Sequence, residues 1–431
     1  MKPFDVIVVG AGPSGSTAAL KIAQEGLRVL LLERGEYPGS KNMFGGMVPN
    51  CPVFNKVIPD FWEHAPWERH VVKRTTTALS DSSSTTMDFD AEIYEEPNYH
   101  GFTLYRPVFD KWYAERAATA GAKLITSTVA EDLLWEGGSV AGVHVGREGG
   151  DIPAKLVIAC DGVLSFLAKK ASLRTDFDPS CMGVGIRVLY RLSEEEINRR
   201  FNLVRRQGVA QGYLGCTEGI RGGGYLYTQL ETLSVGLVVH IDSLRNTGVP
   251  PYELFDRFVS RDPLRTLLQG AKMIDYSAHV IPEASYSAIP QLFTDGMMVA
   301  GDAAALCYTN GLNQDGMNLA VTSGYLAAET ALEAFAKGDF SAGQLSKYRE
   351  RLEASFVLKD MKTFEGMVHF MHNDRLFSLY PKVVAGMMER IYASDGKPKK
   401  AFGLVGWDII RKEIPMKDLA TDMWKGGKSL I

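Results

Sequence analysis

Residues 5–34 read DVIVVGAGPSGSTAALKIAQEGLRVLLLER, and this stretch decides the fold. Its first apolar run, Val6 to Val9, has the length and composition of a strand that is buried on both faces. Glycines follow at positions 10, 12 and 15. This spacing provides a tight turn, a close approach of the backbone to a pyrophosphate, and packing of a helix on the strand. The stretch therefore predicts a dinucleotide-binding unit.

The segments after the glycines complete this unit. A helix is predicted from Pro13 to Gly26, and its N-terminus offers free N–H groups and a positive dipole end to phosphates. A second apolar strand from Val29 to Leu32 ends at Glu33, whose carboxylate can accept hydrogen bonds from a ribose. Strand, glycine turn, helix, strand and terminal carboxylate follow in the required order, which is stronger evidence than a glycine motif alone.

Two later strand ends favour FAD over NAD. One apolar strand ends in Asp161-Gly162, and another ends in Gly301-Asp302. A carboxylate at a strand end followed by small residues suits the ribityl chain of a flavin, although either aspartate alone could instead cap a helix or turn. Residues 311–318 read GLNQDGMN and are predicted to open a long helix that runs to about Ala336. Amides at that helix start could stabilise negative charge on a reduced flavin.

With these motifs, the chain resembles flavoproteins folded like p-hydroxybenzoate hydroxylase. Arg106 matches the arginine that opens a helix near the flavin in that group. Within the group, the chain is most similar to the electron-transfer flavoprotein:quinone oxidoreductases, and among these to the shorter FixC-type proteins. The likeness extends from residue 4 to about Pro381. It is specific in three blocks, namely Lys41-Asn-Met-Phe-Gly-Gly, Gly222-Gly-Gly-Tyr-Leu-Tyr with Val235-Gly-Leu-Val-Val, and Ala278-His-Val-Ile-Pro-Glu-Ala.

The resemblance implies an α/β protein. A Rossmann-type FAD-binding domain of the glutathione reductase and p-hydroxybenzoate hydroxylase kind would hold an inserted antiparallel-sheet domain for the quinone or substrate. Strands of that insert are predicted at 181–192, 225–230, 233–241 and 272–281. We expect the domains to be residues 1–75, 100–175 and 285–340 for FAD binding, 76–99 and 176–284 for the quinone or substrate, and 341–431 for a helical C-terminal region that docks on a membrane or partner.

The resemblance also implies ligand contacts. Lys41 and Arg106 would be cations that favour the reduced flavin, although Lys41 could equally be a solvated loop lysine. Gly222 and Gly223 would present carbonyl oxygens to a quinone headgroup, or else form a glycine-rich hairpin without a ligand. Tyr225 and Tyr227 would be walls of the quinone site. The expected FAD contacts are Gly10, Ala11, Gly12, Pro13, Ser14, Gly15, Glu33, Arg34, Lys41, Gly45, Gly46, Arg106, Val129, Asp161, Gly162, Gly301, Asp302, Gly311, Leu312 and Asn313.

Cysteine spacing argues against an iron–sulfur cluster encoded in this chain. A cubane cluster needs four thiolates, usually with three of them closely spaced. Full-length family members carry a cluster in a C-terminal ferredoxin-like domain, whereas the FixC-type proteins rely on a separate small ferredoxin-like subunit. The resemblance therefore implies an assembly with that iron–sulfur subunit and with electron-transfer flavoprotein subunits. No metal site is predicted, and no C-x-x-C pair occurs among Cys51, Cys160, Cys181, Cys216 and Cys307.

Composition describes a large globular protein rather than a nucleic-acid-binding one. The 431 residues are 45% apolar and 23% charged, with a formal net charge of −4. The first strand begins at Phe4, which leaves no room for a signal peptide. No apolar stretch reaches the ~18 to 20 residues of a spanning helix. We expect a cytoplasmic protein, peripheral on the cytoplasmic face of the cell membrane. Its docking segment would be 376–392 or the aromatic and basic tail from 401.

The main hypothesis is an FAD subunit that takes electrons from an electron-transfer flavoprotein through the ferredoxin-like subunit and reduces membrane quinone. Geranylgeranyl reductases share this fold, but the Tyr-x-Trp-x-Phe-Pro-like segment of that family is missing from residues 180–300. A flavin hydroxylase is a third possibility, although the chain has only one G-x-G-x-x-G motif and hence no second nucleotide domain. An electron-relay or assembly subunit without turnover of its own is the non-enzymatic alternative.

Overall fold

The computed structural model describes residues 3–42, 45–95, 100–146 and 149–429. Its strands, in chain order, are β1 Phe4–Val9, β2 Val29–Leu32, β3 Gly45–Pro49, β4 Trp67–Leu79, β5 Ser84–Asp90, β6 Gly101–Tyr105, β7 Lys123–Ile125, β8 Ala130–Glu136, β9 Ser139–Val145, β10 Asp151–Ala159, β11 Met182–Arg191, β12 Gln207–Leu214, β13 Gly222–Thr228, β14 Thr232–His240, β15 Lys272–Pro282, β16 Phe293–Thr294, β17 Met297–Val299, β18 Tyr308–Thr309 and β19 Gln314–Asp315.

The α-helices connect and cover these strands. In chain order they are α1 Pro13–Gln24, α2 Val53–Val57, α3 Phe61–His64, α4 Arg106–Thr119, α5 Phe166–Lys170, α6 Glu194–Phe201, α7 Ile241–Leu244, α8 Pro251–Val259, α9 Leu264–Leu267, α10 Met317–Lys337, α11 Ala342–Leu345, α12 Lys347–Ala354, α13 Phe356–Thr363, α14 Glu365–Phe370, α15 Arg375–Ser378, α16 Tyr380–Tyr392, α17 Phe402–Glu413 and α18 Met416–Ser429.

A mostly parallel sheet holds the glycine motif. Its strand order is β16-β17-β10-β1-β2-β7, with β8 and β9 beside β10. The strands β1, β2 and β10 pair in parallel, and the apolar runs Val6–Val9, Val29–Leu32 and Leu156–Ala159 are buried. This confirms the Rossmann-type α/β fold predicted from residues 5–34. The strand ends at 159 and 299 lie beside the end of β1, since β10 also pairs in parallel with β17.

The second sheet has nine strands in the order β15-β11-β14-β13-β12-β4-β6-β3, with β5 outside β4. The predicted antiparallel pair at 225–241 is confirmed as β13 and β14. Strands from residues 45–105 pair with strands from 182–282 in this one sheet. The division of the chain into domains at the boundaries given above stays a prediction.

The two faces of the second sheet differ. Along β13 the even-numbered residues are buried, whereas Gly223, Tyr225 and Tyr227 are half-exposed. The buried face packs on α8, where the Phe258 ring lies 2.4 Å from the position that a Cβ would take at Gly224. Strand pairing defines the opposite face, because directly paired residues point the same way. This face, called the site face below, contains Arg74, Arg187, Gly223, Tyr225, Tyr227, His240 and His279.

The long helix α10 starts later than predicted. It begins at Met317 rather than near Gly311, because residues 308–315 instead form the short antiparallel hairpin β18–β19. The helix ends at Lys337, and Gly338 follows in the left-handed conformation that commonly ends a helix. Gly316 occupies the N-cap, so the first free helix amides lie at the end of the 311–318 stretch rather than at its beginning.

The C-terminal helices form a small cluster of their own. Helices α16 and α17 pack through Val383, Val405, Ile409 and Ile414. Arg375 donates two hydrogen bonds of 2.6 Å to Asp422, which ties α18 to the rest of the chain. Within the described ranges, no helix is long and apolar enough to cross a membrane. Large apolar side chains that remain exposed in this region are Val384, Tyr392, Phe402, Leu404, Trp407, Met416, Met423 and Trp424.

Candidate functional site

The three glycines of the motif are required for different reasons. Gly10 has φ +98°, and a Cβ there would lie 2.3 Å from the carbonyl oxygen of Cys160. A Cβ at Gly15 would lie 1.9 Å from the carbonyl oxygen of Gly10. At Gly12, however, the nearest atom is Nη2 of Arg106 at 3.7 Å, an ordinary contact. The protein thus leaves room for a methyl group at Gly12, the position that is expected to face the pyrophosphate of a dinucleotide.

Glu33 is fixed at the end of β2. Its carboxylate accepts a hydrogen bond of 3.0 Å from the Ala11 N–H and one of 2.7 Å from the Gly35 N–H. The side chain is buried. A carboxylate has about four lone-pair sites, so it can accept further hydrogen bonds from ribose hydroxyls. This geometry suits the predicted role of Glu33, and the neighbouring Arg34 is exposed.

The start of α1 meets two of the other predicted motifs. Gly12 is the N-cap and supplies no capping side chain, and Pro13 follows it. The Ser14 hydroxyl lies 3.5 Å from Sγ of Cys160, at the end of β10. A Cβ at Gly301 would lie 3.0 Å from Cβ of Ser14. The glycine motif, the β10 end and the β17 end therefore converge on one helix N-terminus, which favours anion binding.

The two strand-end aspartates differ in their surroundings. Asp161 accepts hydrogen bonds from the Ser165 hydroxyl at 2.7 Å and the Leu167 N–H at 3.4 Å, so it also caps the start of α5. Gly162 after it has φ +80°. Asp302 lies in a short 3-10 helix that follows β17. Burial raises the pKa of Asp302, while the nearby His279 and Arg106 oppose this shift.

The two predicted cations have different environments. Arg106 donates hydrogen bonds of 2.8 and 2.7 Å to both oxygens of Asp110, one turn further along α4. Nη2 of Arg106 lies 3.7 Å from the position that a Cβ would take at Gly12, so the charge of Arg106 lies at the glycine motif. Lys41 is exposed.

Gly45 and Gly46 pair with Tyr105 and Leu104 across β3 and β6, next to Arg106, whereas Met43 and Phe44 lie outside the described residues. Val129 is also exposed.

The hairpin loop at 311–313 touches the second sheet. Gly311 has φ +88°, and Leu312 is 72% exposed, so its side chain remains available to a ligand. The Asn313 side-chain oxygen accepts a hydrogen bond from Arg74 of β4. This contact joins the predicted flavin residues to the site face.

The predicted quinone residues lie on β13. A Cβ at Gly222 would lie 2.1 Å from the carbonyl oxygen of Val238, so only glycine fits at that position. The rings of Tyr225 and Tyr227 stack with centroids 4.9 Å apart. The Tyr225 hydroxyl lies 2.4 Å from the position of a Cβ at Gly236. Burial raises the pKa of both tyrosines, so both phenols are protonated and can donate hydrogen bonds at neutral pH.

Sequence reasoning missed two arginines on the site face. Arg74 donates a 2.7 Å hydrogen bond to Nε2 of His100, and its Nη2 lies 2.7 Å from Sδ of Met47. Arg187 is 2% exposed and bonds Asp275 at 2.9 Å. Both arginines lie near the tyrosine pair. Arg74 interacts electrostatically with Tyr227, and Arg187 with Tyr225. Strand β4 was not predicted, and an arginine within a strand gives no signal of its own without the cross-strand register.

The cysteines are separate from one another. All five are free, and Cys51, Cys160, Cys216 and Cys307 are buried. Over the described ranges, no group of three or more histidine, cysteine, aspartate or glutamate side chains is arranged to hold a metal ion.

Three family models match the chain. The model of the FAD-dependent oxidoreductases matches residues 5–174, which contain the glycine motif, β10 and Asp161. A model described as ETF-QO, ubiquinone-binding, matches residues 182–281, which contain β11 to most of β15. The model of the ETF-QO/FixC family C-terminal domain matches residues 367–431. The protein is therefore an FAD-dependent oxidoreductase.

Curated relatives match nearly the whole chain. Protein FixC of Azorhizobium caulinodans is 39% identical over 401 residues, which are 92% of each chain. The probable electron transfer flavoprotein-quinone oxidoreductase YdiS of Escherichia coli K12 is 38% identical over 398 residues, also 92% of each chain.

Among solved structures, a geranylgeranyl bacteriochlorophyll reductase-like protein of Thermoplasma acidophilum has a TM-score of 0.74 at 22% identity, covering 98% of this chain and 100% of the other. At that identity the likeness shows the fold alone. The identities to the curated relatives and the three matched models go further, and the chain belongs to the ETF-QO/FixC family.

Proposed function

We propose that this protein takes electrons from an electron-transfer flavoprotein, through a small ferredoxin-like iron–sulfur subunit, and delivers them to membrane quinone. The name of the Escherichia coli relative and the description of the matched 182–281 model support a link to an electron-transfer flavoprotein and to quinone. The observation that carries the proposal is the hydrogen bond between Arg74 and Asn313. It brings the residues expected at the flavin against the sheet face expected to bind quinone.

FAD, when bound, supplies the redox chemistry, and the chain orients it. Gly12 and the start of α1 would hold the pyrophosphate, and Glu33 the adenosine ribose. Asp161 and Asp302 are the candidates for the ribityl chain and phosphates. The loop 311–313 and the backbone at 45–46 would contact the ring, since both lie beside the site face.

A quinone headgroup would bind over the site face. Small residues leave space above this part of the sheet, and a Cβ at Gly212 would meet no atom closer than 3.8 Å. The backbone of Gly222 and Gly223 would contact the headgroup at one side. The protonated phenols of Tyr225 and Tyr227 can donate hydrogen bonds to quinone oxygens, and aromatic rings suit stacking on a flat ring.

The site face ends at an apolar edge. Met87 and Phe89 of β5 pair with Thr76 and Arg74, so they extend the same face to the sheet border. They are 64% and 52% exposed. We infer that this edge lies on the cytoplasmic face of the membrane and admits the isoprenoid tail of the quinone. The exposed aromatic side chains of α17 and α18, beside Lys425 and Lys428, are a second candidate for membrane or partner contact.

The proposal includes partner subunits because this chain needs an electron donor. Electrons must reach the flavin from a donor, and the described cysteines are too scattered to hold a cluster. A small ferredoxin-like subunit would bridge the gap between the electron-transfer flavoprotein and this protein. This part rests on the family resemblance.

Gly212→Leu tests the quinone site. Its Cβ would lie 3.8 Å from the carbonyl oxygen of Thr75, an ordinary contact, so FAD content and thermal stability should stay unchanged. Quinone reduction by the photoreduced protein should show a KM raised at least about tenfold. Gly427→Leu on α18 is the control, because a Cβ there meets nothing within 4 Å. Equal KM values for the two variants would place the quinone elsewhere.

A further inference from the structure

A buried histidine–glutamate pair lies at one end of the site face. Nε2 of His240 is 2.5 Å from Oε2 of Glu283, and their side chains are 9% and 11% exposed. The other ring nitrogen, Nδ1, is buried and has no hydrogen-bond partner within the described ranges. A buried ion pair of this kind is costly to desolvate, and pairs of titratable groups near a ligand site often serve in proton transfer.

Strand register places the pair between the two predicted ligands. His240 and Val238 are on the same face of β14, and Val238 pairs with Gly223. Two residues of an antiparallel strand span about 7 Å, so His240 is within one side-chain length of the predicted quinone position. On the other side, Glu283 accepts a 3.4 Å hydrogen bond from Gln314, the residue after Asn313. The pair therefore touches the loop expected at the flavin.

A second histidine packs beside the pair. The His372 ring packs edge-on against His240, with centroids 5.5 Å apart. Its Nε2 lies 3.2 Å from the carbonyl oxygen of Ser180, and its Nδ1 lies 3.1 Å from that of Val368. His372 is half-buried, so one edge of it is accessible to water.

The charges around His240 come from every neighbouring element. Glu283 follows β15, Arg221 precedes β13, Asp242 lies in α7, and His372 follows α14. Burial alone would lower the pKa of His240, but the hydrogen bond and charge of Glu283 outweigh it, and the pKa is raised. Arg221 is itself bonded to Asp242, which reduces its opposing effect. His240 can thus hold a proton near neutral pH and still release it.

We propose that the His240–Glu283 pair delivers a proton to quinone during its reduction. This inference rests on the function proposed above. Conversion of a quinone to a quinol consumes two electrons, which the bound cofactor supplies, and two protons. One carbonyl oxygen of the quinone becomes a hydroxyl by taking the Nδ1 proton of the His240 imidazolium, whose Nε2–H stays bonded to Glu283. The other carbonyl oxygen takes its proton from water. Glu283 holds the ring, and water reprotonates His240.

The test compares two electron acceptors. Quinone needs protons, whereas the ferricenium ion takes one electron and no proton. With the photoreduced full-length protein, His240→Gln and Glu283→Gln should slow quinone reduction at least tenfold and leave ferricenium reduction within twofold of the unmodified protein. The control is His144→Gln, which removes a histidine from an exposed pair with Asp151 at 2.6 Å. That variant should reduce both acceptors normally.

Two further readouts separate proton transfer from a structural role. Quinone reduction should fall as the pH rises through the His240 pKa, and Glu283→Gln should move this limb to lower pH. The imidazole N–H bonded to Glu283 should give a downfield proton NMR signal that Glu283→Gln removes and His144→Gln retains. Equal losses with both acceptors, or unchanged quinone rates in both variants, would overturn the inference. Failure of the unmodified protein to reduce quinone would instead count against the proposed function.

Discussion

Nη2 of Arg106 lies 3.7 Å from the position that a Cβ would take at Gly12. The protein itself therefore tolerates a methyl group at Gly12, which has an ordinary negative φ of −76°. Gly15 does not, because a Cβ there would lie 1.9 Å from backbone oxygen. We therefore expect Gly12 to be required for ligand binding and Gly15 to be required for the fold.

Gly12→Ala should leave the fold intact and weaken FAD binding by about tenfold or more, since its methyl group would occupy the space over the helix start. Gly15→Ala should destabilise the protein by more than about 3 kcal/mol, because neither backbone segment can move away cheaply. Thermal unfolding and the ratio of flavin to protein after gel filtration measure both effects. If Gly12→Ala lowers the unfolding temperature of the FAD-free protein as much as Gly15→Ala does, the distinction is wrong.

Glu33→Gln should weaken FAD binding by about tenfold to a hundredfold. The amide cannot accept hydrogen bonds from Ala11, Gly35 and a ribose as a carboxylate does, and a hydrogen bond to a charged group contributes about 1.5–3 kcal/mol. Titration of the FAD-free protein with FAD measures the change. The exposed neighbour Glu36 provides the control, and Glu36→Gln should bind FAD like the unmodified protein. If the Glu33→Gln protein bound FAD with unchanged affinity, Glu33 would not be an FAD ligand.

The protein should lose stability as the pH falls from about 6.5 to about 4, in part through His100. Burial and the charge of Arg74 lower the pKa of His100 to about 4. The unfolded chain takes up a proton over this range while the folded chain does not, so protonation favours unfolding. His100→Gln should reduce the loss of unfolding free energy over this pH range by about 1–2 kcal/mol, allowing for solvent screening. Urea unfolding at several pH values measures it, and parallel curves for both proteins would contradict the assignment.

Met87→Ser with Phe89→Ser should reduce binding to vesicles of anionic and neutral phospholipid, because these side chains form the apolar edge of the site face. They are largely exposed, so the unfolding temperature should change little. Phe402→Ser with Trp424→Ser makes the matched change on the tail. Flotation of each protein with vesicles distinguishes the two surfaces. If only the tail variant loses vesicle binding, the membrane contacts the tail and not the apolar edge of the site face.

The sequence predicted the parallel sheet well because its signals are local. Val6 to Val9 and Val29 to Leu32 are fully apolar, and the glycines between them have few structural alternatives. The start of α10 was predicted too early, since the residues at 308–315 form a hairpin that local helix signals cannot reveal. Loop residues that close on a neighbouring sheet depend on tertiary contacts rather than on periodicity.

The site face was only partly predicted, for the same reason. Tyr225 and Tyr227 were expected because they follow a matched glycine block. Arg74, Arg187 and His240 come from strands far apart in sequence, and only the register of β4, β11 and β14 brings them together. Glu283 was within a matched block, but its partner His240 lies more than forty residues earlier, so nothing in the sequence linked them.

The most direct test of the central claim is an anaerobic titration of the photoreduced protein with a water-soluble quinone, followed by visible absorbance. We expect the flavin bands to disappear on photoreduction and to return in proportion to the quinone added, without iron–sulfur absorbance from this chain. Flavin bands that stay bleached in excess quinone, and return only with a geranylgeranyl lipid, would contradict quinone reduction and favour an isoprenoid reductase.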